Sequence, residues 1–131
     1  MSEFKLGPLN HVGIAVPDIE EACDTYRNLY NATDITTPFV TLPNAQIELI
    51  EPLNAESPIA NFIAKNPKGG QHHVCFEVDD IDQAVDEMGR RGATVLGKPR
   101  IGAHGTMIIF VHPKNSNGVL IELMETPKGA H

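Results

Sequence analysis

The chain has 131 residues, a net charge of −7 at neutral pH and a pI near 5.2, with 41% apolar and 21% charged residues. This length and composition predict one soluble domain, and the acidic balance argues against nucleic acid or an anionic membrane as a partner. No apolar run approaches the ~20 residues of a membrane span. We therefore expect no membrane contact and a cytoplasmic location, or the mitochondrial matrix if a presequence has been removed.

The amino-terminal half is predicted to form a strand, a helix and short strands. The strand covers residues 9–16 and ends at Pro17, and Asp18 then caps the helix with Glu21 as its capping-box partner. Further strands are expected around 37–42 and 46–51. The apolar stripe of the helix is Ile19, Ala22, Cys23, Tyr26, Leu29 and Tyr30.

The carboxy-terminal half follows a short helix that opens at Ser57-Pro58 and a flexible joint over 66–70. A strand over 73–78 leads to a second helix, capped by Asp80 and ended by Gly92. Strands are then expected over 94–96, 106–112 and 119–124, and residues 127–131 are expected to fray. The inward stripe of this helix is Ile81, Ala84, Val85 and Met88. Cys23 and Cys75 are expected to be reduced, buried thiols.

The two halves repeat each other. Residues 11–24 and 73–86 are identical at seven of fourteen positions, and the Ile-Glu-Leu-Ile-Glu ending at Glu51 returns as the Ile-Glu-Leu-Met-Glu ending at Glu125. We predict one α+β domain over 1–131, with a first βαββ(β) module at about 8–56, a linker helix and joint at 57–70, and a second module at about 71–126. The first module looks shortened by about one strand and one turn.

Strand alternation predicts which side chains share a face. His11, Glu48, His73 and Glu122 all take the parity opposite to the apolar residues that face the helices. A single histidine in a strand usually has no ligand role, but burying an unpaired carboxylate is energetically unfavourable. A histidine and a glutamate nevertheless occur at the same positions in each module. Two imidazoles and two carboxylates suit a borderline divalent ion, with coordination positions left for water or substrate.

Short stretches along nearly the whole chain carry a family resemblance. They are Leu9–Asp18, Ile47–Leu53, Ser57–Phe62, Gly69–Val74, Gly102-Ala-His-Gly105, His112-Pro-Lys114 and Asn117–Glu122. These stretches resemble the vicinal oxygen chelate (glyoxalase) superfamily and, within it, the methylmalonyl-CoA epimerases.

The resemblance implies two tandem βαβββ modules in a curved mixed β-sheet cup, with His11, Glu48, His73 and Glu122 as metal ligands. It further implies a homodimer, an acyl-CoA substrate, and Co²⁺ or Mn²⁺ as the ion, with Zn²⁺ or Ni²⁺ as alternatives. The expected reaction interconverts (2R)- and (2S)-methylmalonyl-CoA by moving a proton at C2. Glu122 is expected as one acid/base and Glu48 as the other, and His104 and Lys114 as substrate contacts.

Several alternatives stay open on the sequence. The chain is shorter before Phe39 than the epimerases that it resembles, and a residue of that missing segment is a rival to Glu48. A glyoxalase I-type isomerase and a non-catalytic binding protein of the same fold are the alternative functions. The basic run Arg90, Arg91, Lys98 and Arg100 is expected to be a solvated helix end, with contact to CoA phosphates as the other interpretation.

Overall fold

The structure, a computed structural model, describes residues 4–127, so the predicted fraying of 127–131 lies almost wholly outside the described residues. The chain divides into two compact units, which we call the first module (residues 11–72) and the second module (residues 73–127 with residues 4–10). Within the described residues, no helix has the length and apolar character that crossing a membrane requires. In chain order, the elements are β1 (Leu9–Ala15), α1 (Ile19–Leu29), β2 (Ile35–Thr36), β3 (Phe39–Thr41), β4 (Gln46–Ile50), α2 (Pro58–Lys65), β5 (Gly70–Val78), α3 (Ile81–Arg90), β6 (Val95–Ile101), β7 (Met107–Val111), a 3-10 turn (Pro113–Asn115) and β8 (Ile121–Glu125).

The first module is built on the parallel pair β1 and β4. Strand β3 pairs antiparallel with β4, and β2 with β3, which gives the strand order β2-β3-β4-β1. Helix α1 covers one face of this sheet. The core between them contains Val16, Cys23, Val40 and Leu49. The predicted helix-facing parity of β4 is thus confirmed, since Ile47 also packs against this core.

The expectation that the first module lacks a strand is wrong in one respect. All three strands after α1 are present, but β2 has two residues and β3 has three, whereas β6 and β7 have seven and five. The module is therefore shortened by trimming its outer strands and not by losing one. The predicted α1 stripe also ends early, because Leu29 and Tyr30 are 68% and 66% exposed.

The second module repeats this plan at greater length. Strands β5 and β8 pair in parallel, β7 pairs antiparallel with β8, and β6 with β7, in the order β5-β8-β7-β6. Helix α3 packs on one face through the predicted stripe. The core there is formed by Val78, Ile81, Ala84, Ile109, Val111 and Leu123. A register shift interrupts β6 between Leu96 and Arg100, where Gly97 has a positive φ.

Both module helices begin in the same way. The side chains of Asp18 and Asp80 accept hydrogen bonds from the backbone N–H groups of Glu21 and Gln83, each at 3.0 Å, so both predicted N-caps are confirmed. A second carboxylate reaches each helix from the end of the last strand of its module. Glu51 accepts from Ile19 N–H at 2.9 Å, and Glu125 accepts from Ile81 N–H at 3.1 Å.

These contacts give the final glutamate of each Ile-Glu-Leu-x-Glu repeat a clear role. The N–H groups of a helix's first turn have no partner within the helix, and the helix dipole favours negative charge at that end. Each glutamate satisfies one such donor and fastens the helix to the last strand of its module.

Candidate metal centre

The first module holds a histidine and a glutamate against each other on the face of the sheet away from α1. His11 lies on β1 and Glu48 on β4, and His11 Nε2 is 3.2 Å from Glu48 Oε1. In the parallel register, Glu48 stands opposite Gly13, two residues beyond the histidine. His11 is 1% exposed, so its imidazole is removed from water and a polar partner such as Glu48 compensates for its burial.

The second module builds the same pair with the same offset. His73 lies on β5 and Glu122 on β8, with His73 Nε2 and Glu122 Oε1 3.0 Å apart. Glu122 stands opposite Cys75, again two residues beyond the histidine. The two side chains of this pair are buried, at 4% and 6% exposure. The duplication seen in the sequence is therefore also a duplication of side-chain geometry.

Each pair suits a divalent cation. An imidazole nitrogen and a carboxylate oxygen are ligands that Co²⁺, Mn²⁺, Zn²⁺ and Ni²⁺ accept, and each module presents one of each within 3.2 Å. Burying a carboxylate is unfavourable unless a cation or hydrogen-bond donors compensate it. The donor set of each module thus fits half of the four-ligand metal site expected from the sequence.

Apolar side chains surround the pair of the second module. The ring of Phe110 meets that of His73 edge-on, with centroids 5.5 Å apart and planes at 90°. Buried Cys75, Ile108 and Met124 continue this wall. Such surroundings lower the local dielectric constant, so charges that develop beside Glu122 interact more strongly there than in water.

The predicted substrate-contact residues lie in the second module. His104 is partly buried in the loop that joins β6 to β7, where Gly102 N–H donates to Thr106 C=O at 2.8 Å. Lys114 is exposed in the 3-10 turn, and its N–H donates to His112 Nδ1 at 3.0 Å. Their roles in substrate binding remain predictions.

The basic residues that the sequence groups together have different surroundings in the structure. Arg91, just after α3, forms an ion pair with Glu87 at 2.7 Å. Arg100 instead lies over the ring of Phe110, with its Cζ 5.5 Å from the ring centroid. Neither Phe110 nor this placement of Arg100 was predicted from the sequence. The one sequence feature that could have indicated the position of Phe110 is strand alternation, which places Ile108 and Phe110 on the same face of β7.

Comparisons with known proteins show the family to which the chain belongs. The chain belongs to the Glyoxalase/Bleomycin resistance protein/Dioxygenase superfamily, which its residues 10–110 match. The predicted fold class, tandem βαβββ modules of the glyoxalase type, is thereby confirmed.

The predicted resemblance to methylmalonyl-CoA epimerases is also confirmed. The ethylmalonyl-CoA/methylmalonyl-CoA epimerase of Cereibacter sphaeroides is 51% identical over 130 aligned residues, which cover 90% of this chain and 97% of the relative. The mitochondrial methylmalonyl-CoA epimerase of Dictyostelium discoideum is 46% identical over 136, covering 95% of this chain and 82% of the relative. A variant of Streptomyces coelicolor methylmalonyl-CoA epimerase in complex with 2-nitronate-propionyl-CoA superposes with a TM-score of 0.85 at 28% identity, covering 97% of this chain and 99% of that one.

Proposed function

We propose that this protein is a metal-dependent epimerase that interconverts (2R)- and (2S)-methylmalonyl-CoA. The observation that carries the proposal is the buried histidine–glutamate pair built twice at the same strand register, in a chain about half identical to an ethylmalonyl-CoA/methylmalonyl-CoA epimerase. The two pairs favour a metal-dependent enzyme over a protein of the same fold that binds a small molecule without a metal, since such a protein needs no metal ligands.

In this proposal His11, Glu48, His73 and Glu122 together hold one divalent ion, with Co²⁺ or Mn²⁺ favoured and Zn²⁺ or Ni²⁺ as alternatives. When bound, the ion supplies Lewis acidity toward the thioester oxygen. The support is the donor set of each module and the membership of the glyoxalase superfamily.

The protein's own carboxylates move the proton. The carbon C2 lies between a thioester and a carboxylate, and its hydrogen is only weakly acidic. A glutamate with an ordinary pKa of about 4.3 is a weak base toward this hydrogen. Glu122 removes this proton, the C–H electron pair passes to the thioester oxygen, and a second carboxyl group returns a proton to the opposite face. We assign the second role to Glu48.

A parallel pair of reactions tests the proposal. The metal-reconstituted protein is incubated in deuterium oxide with (2R)-methylmalonyl-CoA, and proton NMR follows the C2 hydrogen while a chiral assay follows the (2S) epimer. Loss of the C2 signal together with formation of the (2S) epimer is the expected result. A protein that leaves this substrate untouched and isomerises the adduct of methylglyoxal and glutathione would instead be a glyoxalase I-type enzyme.

We also propose that the protein is a homodimer that acts on an acyl-CoA of propionate metabolism. The similarity to acyl-CoA epimerases along most of the chain supports the substrate class. For the location we propose the cytoplasm, with the mitochondrial matrix as the alternative because the Dictyostelium relative is named as mitochondrial.

A further inference from the structure

The second module carries a basic side chain on the same sheet face as its histidine–glutamate pair. In the antiparallel registers, Phe110 stands opposite Glu122, Ile108 opposite Met124, and Arg100 opposite Ile108. Residues that stand opposite each other in a sheet project from the same face. Arg100 is therefore not part of a helix-end cluster, as the sequence suggested, but shares a face with Glu122.

The guanidinium of Arg100 lies over the ring of Phe110, which in turn meets the ring of His73 edge-on. Its Cζ lies 5.5 Å from the centroid of Phe110, and Phe110 lies 5.5 Å from the ring of His73. A guanidinium near the face of an aromatic ring is attracted by the ring electrons, and this attraction uses none of its N–H groups as hydrogen-bond donors to oxygen. Arg100 is exposed to solvent and one aromatic ring away from the metal-binding pair.

We propose that Arg100 binds the free carboxylate of the substrate and selects malonyl-type thioesters over simple acyl thioesters. This inference rests on the proposed function, because it takes Glu122 as the group that meets C2. In methylmalonyl-CoA the carboxylate is bonded to C2 itself, whereas the CoA phosphates are separated from C2 by the whole pantetheine arm. A residue one ring away from His73 is therefore placed for the carboxylate and not for the phosphates.

The chemistry of the two groups matches. Arginine can form two parallel N–H···O hydrogen bonds with a carboxylate, and such charge-assisted bonds are stronger than neutral ones. The attraction to the Phe110 ring favours guanidinium positions on the sheet face that also carries Glu122.

A pair of ligands that differ only in the carboxylate tests the proposal. Calorimetry gives the Kd of methylmalonyl-CoA and of propionyl-CoA for the metal-reconstituted parent protein, for Arg100→Met and for Lys98→Met. Lys98 is the matched control, because it is an exposed basic residue on the same strand. The parent and Lys98→Met are expected to prefer methylmalonyl-CoA, and Arg100→Met to lose about tenfold of that preference.

Two results would overturn the inference. Equal weakening of both thioesters by Arg100→Met would place Arg100 at the CoA phosphates, and no change in either Kd would make it a solvated side chain. Melting curves of the three proteins are expected to coincide, because Arg100 is exposed. Since binding is measured without turnover, a parent that prefers methylmalonyl-CoA but exchanges no C2 hydrogen would contradict the proposed reaction while supporting the carboxylate site.

Discussion

Replacing Glu122 by glutamine separates its chemical role from its structural one. The change keeps the shape of the side chain and an oxygen that can accept from His73, but it removes the negative charge. A hydrogen bond to a charged group contributes about 1.5–3 kcal/mol and a neutral one about 0.5–1.5 kcal/mol. Because the pair is 3.0 Å apart and buried, we expect Glu122→Gln to lower the free energy of unfolding by about 1 kcal/mol, or roughly 4 °C in Tm.

The expected loss of activity is much larger than this loss of stability. A positioned general base contributes about 10²- to 10⁴-fold to a rate, and an amide cannot accept the C2 proton. Proton NMR in deuterium oxide should therefore show C2 exchange slowed by at least about 10²-fold, measured at a temperature where the variant is fully folded.

Glu125→Gln is the matched control. Glu125 lies on the same strand, but its carboxylate holds Ile81 N–H at the start of α3 and belongs to the opposite face. Its variant should melt at a lower temperature, since a helix-capping contact is weakened, and should keep the parent exchange rate. A Glu122→Gln protein that exchanges C2 as fast as Glu125→Gln would remove Glu122 from the acid/base role.

Three further outcomes are expected. The backbone N–H of Phe4, followed by Arg91, lowers the pKa of Glu87 below its ordinary value, so this carboxylate adds stability above the ordinary pKa and loses it as the pH falls through the lowered pKa. Acid titration of Tm should therefore show a smaller loss for Glu87→Gln than for the parent. Gly69→Ala should lower Tm or prevent folding, because φ is +96° and a Cβ would lie 2.4 Å from Ala15 O; an unchanged melting curve would contradict this geometry. When the free metal ion is held at about 100 times its Kd, removing it with a chelator should reduce the free energy of unfolding by about 2.7 kcal/mol. An unchanged Tm would count against a bound ion.

The sequence was sufficient to predict which sheet face His11, Glu48, His73 and Glu122 take. A strand alternates its side chains with a period of two, so the parity of His11 against Val12 and of Glu122 against Ile121 indicates which face each residue takes. The repeat then shows that the same arrangement occurs twice. The contact of each histidine with the glutamate of its own module was not predicted, because it depends on the register of two strands that lie far apart in the chain.

The contacts that were missed depend on distant parts of the chain. Glu51 caps α1 across 32 residues and Glu125 caps α3 across 44, whereas capping rules for sequences look only three or four residues ahead. Arg100 was misplaced for a similar reason. Its face depends on the register shift in β6, and a register is a property of two paired strands and not of one.

The direct pairing of β1 with β4 has a consequence for how this chain tolerates change. His11 and Glu48 stand on strands that hydrogen-bond to each other, while the outer hairpin of β2 and β3 lies to one side of them. Changes of length at the turn between β2 and β3 are therefore expected to leave the distance between the two side chains unchanged, provided that Val40 keeps its place in the core. A designer could graft a longer hairpin from a relative into this position and expect the histidine–glutamate spacing to survive.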